Sequence, residues 1–559
     1  MSSKTSFFLE SFLYTIAAVL ICFSFFEIVF DDSYDAFISQ MSSQQYSDFS
    51  LMDQHYLLVI LFRDFYKIIQ DLLPQINVFS TAYILSNICS LYYTLYTLRV
   101  LILRKTSFLV RFVLLSILTA LFLENIISIT HTRFALIFSG VALINLLFRN
   151  LKWKGIVIHH ILFLFGFLTR PESGIGMIII VSAAYLILHF RPLALVKKTI
   201  IPLSAVLIFF LALQIHKEFT NRFEIKIEPD IEYALSTNRL VPISQMTNAK
   251  DSLRYEMAMY GMFIDTAFVN VNFLNRIVSN QFELNQNQIQ ESVINILSLQ
   301  YYYLIIPVLF IIIILISIIL FNNKIIAFKI ILFKAFIFSL LVYLAYNAPL
   351  AERHFISIEI ITLLLIAYFV FSNNSLSSIK LNKVFVATSL LIIIGSTAIT
   401  LNNALGNQIQ VAEEVECLKS NMVQTENVYQ NEILIINLST FHLLDLKYSF
   451  LNKNYKENDY LIWDLSNYSI VPRYLAYLSK ICNCNASKPE EFLKWAEEKK
   501  AIFLSDIKRS ELIERYMYLV HNTKIEFTDA AKSKQIKHPD CISNSIFGNY
   551  IMQNVKFHD

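Results

Sequence analysis

The chain has 559 residues, of which 56% are hydrophobic and only 16% are charged. Soluble proteins carry about 25% charged residues, so this composition indicates an integral membrane protein. The net charge of +3 is too small to indicate a nucleic-acid partner. Only nine glycines and no GxxxxGK(S/T) motif are present, which argues against nucleotide binding through a P-loop.

Apolar runs long enough to cross a bilayer recur from the N-terminus to about residue 402. They predict a polytopic α-helical membrane domain over 1–402 with about eleven transmembrane helices. The first run lacks a small-residue cleavage site, so it is predicted to be a retained helix rather than a signal peptide. The runs are 7–30, 78–103, 107–130, 133–148, 155–169, 174–190, 199–215, 301–321, 325–345, 355–372 and 384–402.

Basic residues in the short connections predict the orientation of these helices. With a cytoplasmic N-terminus, the inner segments hold twelve Lys and Arg residues and no Asp or Glu. This positive-inside pattern predicts a multi-pass protein of the bacterial inner membrane. The outer face then receives a first loop (31–77), a long loop (216–300) and the segment 403–559.

The segment 403–559 is predicted to be a soluble periplasmic α/β domain. Short strand-like stretches alternate there with amphipathic helical stretches, for example 433–439 and 501–506 with 489–500 and 509–520. Another strand is predicted at 460–466.

Four cysteines belong to this segment, and an oxidising periplasm permits disulfides. Cys482 and Cys484 are so close in sequence that each is expected to need a distant partner. The pairing stays open among Cys417, Cys482, Cys484 and Cys541.

Four acidic residues lie within nine positions at the start of the first outer loop: Glu27, Asp31, Asp32 and Asp35. Glu27 and Asp31 are spaced i,i+4, so they share a face if the first helix continues that far. Clustered carboxylates raise one another's pKa and hold a proton or a divalent cation. The cluster fits a solvated helix end, but it also predicts a site where a carboxylate accepts a proton from a hydroxyl nucleophile.

His55, a supporting candidate, begins the stretch 55–73, whose apolar residues form one broad helical face. This pattern is typical of a helix that lies in the membrane interface. Such a helix either walls a lateral opening for a lipid-borne substrate or braces the fold, and the sequence leaves both open.

Three arginines, Arg133, Arg170 and Arg353, lie at outer ends of predicted helices. The forked donors of a guanidinium match phosphate oxygens, so these residues are candidates for binding a lipid phosphate. Each also fits an arginine that reaches from a helix end to the membrane interface. Supporting candidates are their neighbours Glu172, Glu352 and His354.

Glu124 lies just inside the outer end of its predicted helix and is a further supporting candidate, because acids within the membrane are functional suspects. The middle of the membrane is otherwise expected to be nearly free of polar groups. Lys334 lies deeper in its run and has no assigned role.

Taken together, the acidic pair after the first helix, the interfacial stretch, the "RPE" connection at 170–172 and "ERHF" at 352–355 resemble the GT-C membrane glycosyltransferases. The resemblance extends over most of the membrane part and is at the level of the fold. It implies an inverting enzyme that transfers a hexose or pentose from a polyprenyl-phosphate carrier to a glycan, lipid or protein acceptor at the outer membrane surface.

The resemblance also implies roles for particular residues. Asp31, with Asp32 beside it, corresponds to the family's base or metal ligand, and Arg170 and Arg353 match the arginines that hold the carrier phosphate. "DDSY" stands where "DE" and an aromatic residue are common, so which aspartate is the base stays open. So does the need for a divalent cation, Mg²⁺ or Mn²⁺.

Three other function classes fit parts of the sequence. A polysaccharide polymerase or ligase, or a flippase for lipid-linked glycans, shares many helices and outer arginines but typically lacks an acidic pair after the first helix. A secondary transporter is expected to carry polar residues near the middle of the membrane. A non-catalytic envelope scaffold would act through the soluble segment.

Overall fold

The structure is a computed structural model, and it describes part of the chain. The described residues are 3–26, 28–30, 69, 72–73, 75–76, 78–101, 108–149, 151–189, 243–246, 248–260, 262, 265, 268–277, 286–315, 324–347, 352–373, 391–403, 406, 433–437, 461–463, 478–486, 488–529 and 550–558.

The chain divides into two compact units, each assembled from separate stretches of sequence. The first, here the helical unit, comprises Met1–Asp35, His55–Arg222 and Leu284–Gln410. The second, here the sheet unit, comprises Ala36–Gln54, Phe223–Glu283 and Val411–Asp559. Most of the long loop 216–300 therefore shares a unit with the C-terminal segment, whereas the sequence-based division grouped it with the membrane domain.

Helices dominate the helical unit. Its described elements are α1 (Ser3–Phe25), β1 (Val29–Phe30), α2 (Val78–Leu101), α3 (Phe108–Ile127), β2 (Ser128–Ile129), α4 (His131–Phe148), α5 (Trp153–Thr169), α6 (Pro171–His189), α9 (Gln286–Tyr302), α10 (Ile305–Leu315), α11 (Lys324–Asn347), α12 (Glu352–Asn373) and α13 (Leu391–Asn403). The helices α7 (Ala249–Met259) and α8 (Val271–Ile277) belong to the sheet unit.

Each predicted apolar run except 199–215, which lies outside the described residues, overlaps one of these helices. Within the described part, three helices are long and apolar enough to cross a membrane, in α1, α11 and α12. A fourth span is counted if α9 and α10, bent by 83° at their junction, cross together. Eleven transmembrane helices remain a prediction, because most of the other helices are apolar but short.

Helix α4 lies at the centre of the helical unit. Every residue from Thr132 to Phe148 is buried, so α4 is covered by neighbours on all sides, as expected for a helix that is apolar all round. Gly166 of α5 packs directly on it: a Cβ atom added there would lie 3.0 Å from the backbone nitrogen of Ser139. The absence of a side chain at Gly166 therefore permits the close approach of α4 and α5.

The middle of the helical unit is not free of charge, contrary to the sequence-based expectation. Lys334, near the middle of α11, forms an ion pair with Glu359 of α12, and the two side chains are 13% and 0% exposed. The Phe310 ring of α10 lies 5.8 Å from the Lys334 ammonium. The pair persists in an apolar setting because each charge neutralises the other.

A mixed five-stranded sheet forms the centre of the sheet unit. Its strands run in the order β4-β3-β5-β7-β6; β3, β4 and β5 are parallel, and β7 is antiparallel to both β5 and β6. The predicted strands and helices are confirmed, while β6 and β7 were not predicted. The elements are β3 (Leu434–Asn437), β4 (Leu461–Ile462), α14 (Pro489–Glu498), β5 (Ile502–Asp506), α15 (Ile507–His521), β6 (Lys524–Asp529) and β7 (Tyr550–His558).

Aromatic rings join the sheet to α14. Trp463, 1% exposed, stacks on Phe492 of α14 with ring centroids 5.1 Å apart and meets Phe503 of β5 edge-on at 6.0 Å. Aromatic pairs in these geometries stabilise a core beyond the effect of their buried area. They give this short-stranded sheet a hydrophobic centre.

The long loop contributes α7 and the residues after it to the same unit. Arg515 of α15 donates a hydrogen bond to Glu256 at 2.9 Å, and Tyr516 donates one to Asp265 at 2.5 Å. Burial raises the pKa of Glu256, but the hydrogen bond and charge of Arg515, with the charge of Lys508, outweigh it and lower that pKa. The C-terminal segment is thus completed by residues far upstream in sequence.

Cys482 and Cys484 form a disulfide with each other, so the expectation that each needs a distant partner is wrong. Their Cα atoms are 5.1 Å apart. Asn483 between them adopts a left-handed backbone conformation with φ of 49°, which turns the chain tightly enough to bring the two sulfurs together. Cys417 and Cys541 lie outside the described residues.

Candidate functional site

A short parallel strand pair joins the end of α1 to the connection between α3 and α4. Val29 pairs with Ser128, and Phe30 pairs with Ile129. The chain that leaves the first helix therefore runs beside the connection between Glu124 and Arg133. This contact links two stretches that are about a hundred residues apart in sequence and that the sequence analysis treated as separate candidates.

A buried ion pair lies at this connection. Arg133 donates to Glu124 Oε1 at 2.7 Å and to the Asn125 side-chain oxygen at 3.2 Å. The Arg133 and Glu124 side chains are 1% and 7% exposed. Arg133 was predicted to bind a lipid phosphate, but its charge is already neutralised by Glu124 inside the fold, so this geometry suits a structural ion pair better than a phosphate ligand.

Tyr303 completes the buried cluster from the other side. Its hydroxyl donates to Glu124 Oε1 at 2.9 Å, and the residue is 1% exposed. Tyr303 lies at the 83° bend between α9 and α10, where the run predicted at 301–321 is broken. The Thr400 hydroxyl accepts a hydrogen bond from the Ile305 backbone N–H at 3.1 Å, which satisfies one donor at the start of α10. The helix break thus directs a tyrosine at Glu124.

Arg170 reaches the same cluster from the connection between α5 and α6. The residue caps the end of α5, and Pro171 begins α6, so the "RPE" connection is a sharp turn between the two helices. The guanidinium donates a hydrogen bond to the Thr132 hydroxyl, in the first turn of α4, and the side chain stays 30% exposed. Arg170 is therefore held in place while keeping exposed surface for an anion.

Glu172 lies beside Arg170 but contributes little to holding it. The nearest oxygen of its carboxylate is 4.0 Å from Arg170 Nε, and the side chain is 81% exposed. Ion pairs at this distance and exposure are weak.

The first turn of α12 packs beside the same cluster. Phe355 stacks against Tyr303 with ring centroids 5.9 Å apart. The half-buried residues Glu352, Arg353 and His354 immediately precede it and begin the helix. The structure thus brings the predicted residues of the "ERHF" stretch to the end of the helical unit that also holds Glu124, Arg133 and Arg170.

The remaining predicted site residues, Glu27, Asp31, Asp32, Asp35 and His55, lie outside the described residues. Helix α1 ends at Phe25, and residues 29–30 form a strand. The helix does not continue to residue 31, so the i,i+4 argument for Glu27 and Asp31 does not hold.

The predicted divalent cation is tied to Asp31 and Asp32 alone. Over the described part of the chain, no group of three or more His, Cys, Asp and Glu residues is arranged to hold a metal ion. Glu124, four residues before Ser128 of the strand pair, accepts hydrogen bonds from Arg133 and Tyr303 instead.

Sequence reasoning missed Tyr303 and Thr132. Tyr303 ends a "YYY" triplet at the start of an apolar run, which reads as an ordinary interfacial aromatic belt. No glycine or proline stands at residues 302–304 to mark the break, although Pro307 follows it closely. The "THTR" stretch held a better signal, since Thr130 is a good N-cap, and its hydroxyl accepts from the Thr132 N–H at 3.3 Å.

Comparisons with known proteins give no relative from which a function could be transferred. Neither the protein-family models nor the curated proteins nor the solved structures contain a match to this chain.

Proposed function

We propose that the chain is a membrane glycosyltransferase that takes a sugar from a polyprenyl-phosphate carrier and passes it to a hydroxyl acceptor. The proposed site lies at the outer face of a bacterial inner membrane, and the acceptor is a glycan, lipid or protein of the envelope. The Cys482–Cys484 disulfide supports an oxidising compartment for the sheet unit.

The pairing of Phe30 with Ile129 is the observation that carries this proposal. Asp31 follows Phe30 directly, and consecutive Cα atoms are about 3.8 Å apart. The strand pair therefore starts the acidic segment close to the connection between α3 and α4, where Thr132 holds Arg170. A proton acceptor and a phosphate-binding arginine near one another are what transfer from a lipid phosphate needs.

The proposed reaction is a single displacement. Asp31 or Asp32 accepts the proton of the acceptor hydroxyl, and the hydroxyl oxygen attacks the anomeric carbon of the donor sugar. The bond between that carbon and the carrier phosphate oxygen breaks, and the phosphate leaves with the bonding electron pair. The configuration at the anomeric carbon inverts because attack and departure occur on opposite faces.

Arg170 is the proposed phosphate ligand, and Arg353 is a second one at the same end of the helical unit. A guanidinium stabilises the negative charge that grows on the leaving phosphate. Arg133 has a different part, since its pair with Glu124 fixes the start of α4, on which Thr132 positions Arg170.

The test supplies radiolabelled polyprenyl-phosphate sugars to membranes that contain the wild type or the double variant Asp31→Asn, Asp32→Asn. Transfer of label from the lipid to an acceptor is expected in the wild type and is expected to be lost in the variant at equal expression. Arg170→Lys, which keeps the charge but removes the fork, should lower the rate by about 10-fold or more.

Matched controls separate chemistry from folding. Asp529→Asn changes an exposed aspartate of the sheet unit, and Arg276→Lys changes an arginine whose side chain is 63% exposed. Both should transfer label like the wild type. Equal transfer by the Asp31/Asp32 variant would remove the catalytic assignment, and failure of every donor would favour a polymerase, ligase, flippase or scaffold.

One observation favours a second candidate, a secondary transporter. The buried Lys334–Glu359 pair lies near the middle of its two helices, where charged groups in transporters bind ions or relay protons. Glycosyl transfer that survives in Glu359→Gln membranes would show that the pair is not needed for the chemistry. Substrate uptake by reconstituted vesicles, lost in the same variant at an equal amount of folded protein, would support the transporter instead.

A further inference from the structure

A groove of about 540 Å³ opens on the surface of the helical unit between α1, α2 and α5. Its walls include the aromatic and aliphatic side chains of Phe8, Tyr92, Tyr96, Ile158 and Leu162. Phe8 and Ile158 are 54% and 55% exposed, so the groove is open along its length rather than enclosed. Its volume lies within the range of about 300–1,000 Å³ that is typical of ligand pockets.

The two most buried residues of the lining form a hydrogen bond with each other. The Tyr93 hydroxyl and His159 Nδ1 are 2.5 Å apart, and both residues are 7% exposed. Because this pair is internally hydrogen-bonded, the groove presents mainly carbon atoms to an occupant. Such a surface suits a hydrocarbon chain better than a polar molecule.

Positive charge lies directly beyond one end of the groove. Lys152 and Lys154 are exposed at the start of α5, with Trp153, 71% exposed, between them. Lys154 precedes Ile158 by four residues and Leu162 by eight, so the three share one face of the helix. One turn of about 5.4 Å separates the ammonium-bearing residue from the groove wall.

Among the residues that the structure describes, nearby acidic charge does not cancel these lysines. The first turn of α5 contains no acidic residue, and the Lys152 side chain makes no capping hydrogen bond. Glu10 of α1 is already paired with Arg99 at 2.7 Å and with Arg111 at 3.5 Å. The positive end of the α5 dipole adds to the attraction for an anion at this position.

We infer that this groove binds an anionic diacyl phospholipid, with an acyl chain along Ile158 and Leu162 and the headgroup phosphate at Lys154 and Lys152. Exposed Trp153 fits the level of the lipid headgroups, where tryptophan is enriched in membrane proteins. The inference rests on the membrane location in the proposed function, but it does not depend on glycosyl transfer. It assigns the cytoplasmic leaflet to this end of α5.

The test measures lipid retained by the full-length protein. The chain is purified in detergent after exposure to mixed micelles of phosphatidylglycerol and phosphatidylcholine, and bound lipid is counted by native mass spectrometry. Preferential retention of phosphatidylglycerol by the wild type is the expected result. Lys154→Gln should weaken it about 5-fold, the effect of one lysine at an anionic membrane surface.

Two matched pairs of variants make the result specific. Ile158→Trp fills the groove and should reduce retention, whereas Ile161→Trp, on the same helix at 59% exposure, changes a residue that does not line it. Lys324→Gln changes an exposed lysine at the start of α11 and should match the wild type.

Three outcomes would overturn the inference: equal retention of both lipids, equal loss in Ile158→Trp and Ile161→Trp, or no effect of Lys154→Gln. Retention is read without any sugar donor, so a failure here leaves the proposed transferase untouched. A loss of transfer in the Asp31/Asp32 variant likewise says nothing about this groove.

Discussion

In the helical unit, the pairs Glu124–Arg133 and Lys334–Glu359 lie inside the fold, whereas the pairs Lys488–Glu491 and Lys494–Glu490 of the sheet unit lie at its surface. The Glu359 side chain is 0% exposed, and that of Lys488 is 63% exposed. When a buried charge loses its partner, water cannot reach it to take the partner's place. An exposed charge that loses its partner is solvated by water instead. Removing one partner of an ion pair is therefore expected to destabilise the helical unit much more than the sheet unit.

The largest expected effect comes from Glu359→Gln. It leaves the Lys334 ammonium without its partner in an apolar setting, which should lower the free energy of unfolding by about 3–5 kcal/mol. The double variant Lys334→Met, Glu359→Leu should recover much of that loss, because neither charge then remains. Unfolding by sodium dodecyl sulfate in mixed micelles measures both, with Glu172→Gln as an exposed control.

Tyr303→Phe is expected to destabilise the helical unit less, because it removes a hydrogen bond and leaves the Glu124–Arg133 pair intact. A hydrogen bond to a charged acceptor contributes about 1.5–3 kcal/mol, so the same unfolding assay should show a loss of that size. Tyr301→Phe, at a neighbouring residue that is 75% exposed, should have no measurable effect. Equal stability of the two variants would mean that the Glu124 contact is unimportant.

Gly166→Ala tests whether the interior of the helical unit is also sensitive to a substitution that changes packing and no charge. The added Cβ would lie 3.0 Å from the Ser139 backbone, and overpacking of this kind costs about 1–3 kcal/mol. Gly176→Ala places a methyl group where no atom lies within 4 Å and should stabilise its helix by up to about 1 kcal/mol. Opposite shifts of the unfolding midpoint are expected, and shifts of the same sign would contradict the close contact.

The smallest effect belongs to the sheet unit, where Glu256→Gln loosens α7 from α15. The pKa of Glu256 is lowered in the folded chain, so its stabilising contribution is present above its ordinary value of 4.5 and is lost as the pH falls through the lower folded pKa. With the Arg515 side chain 41% exposed, the contribution is about 0.2–1 kcal/mol.

The contribution of Glu256 is measured by hydrogen exchange of residues 249–259. Wild type and the Glu256→Gln variant are compared at equal pH. Faster exchange in the variant at neutral pH should fade as the pH falls through the lowered folded pKa of Glu256, where the wild type also loses the charge. Glu491→Gln, which changes an ion pair at the surface of the sheet unit, serves as the control and should leave this exchange unchanged. A difference that grows on acidification would contradict the assigned direction.

Sequence patterns predicted the kinds of elements well, because hydrophobic periodicity reports which faces are buried. The helices of the helical unit and the strands β3, β4 and β5 follow from it. Periodicity carries no information on contacts between distant segments, so the pairing of Val29 with Ser128 and the sharing of one unit by 223–283 and 411–559 were not predicted.

The candidate site was predicted in part for the same reason. Arg133, Arg170 and Glu124 were identified from their positions at helix ends, but their partners were not. Glu359 carried a readable signal, an acid within the apolar run "FISIEIITLLL", and Lys334 was its unexplained counterpart in the preceding helix. The break at Tyr303 had no such signal, and the hydrogen bonds that accompany it are made with Thr400 and Asn403 of α13, about a hundred residues later in sequence.

The discontinuity of the sheet unit has a consequence for biosynthesis. Arg515 and Tyr516 contact residues of the loop 223–283, yet they are translated only after residues 284–410 have been made. Glu256 and Asp265 precede Arg515 and Tyr516 by 259 and 251 residues, so at about 5–20 residues per second the loop waits roughly 13–50 s for its partners. During that interval its Glu256 and Asp265 side chains lack Arg515 and Tyr516, so these contacts cannot stabilise the loop until the C-terminal segment has been made.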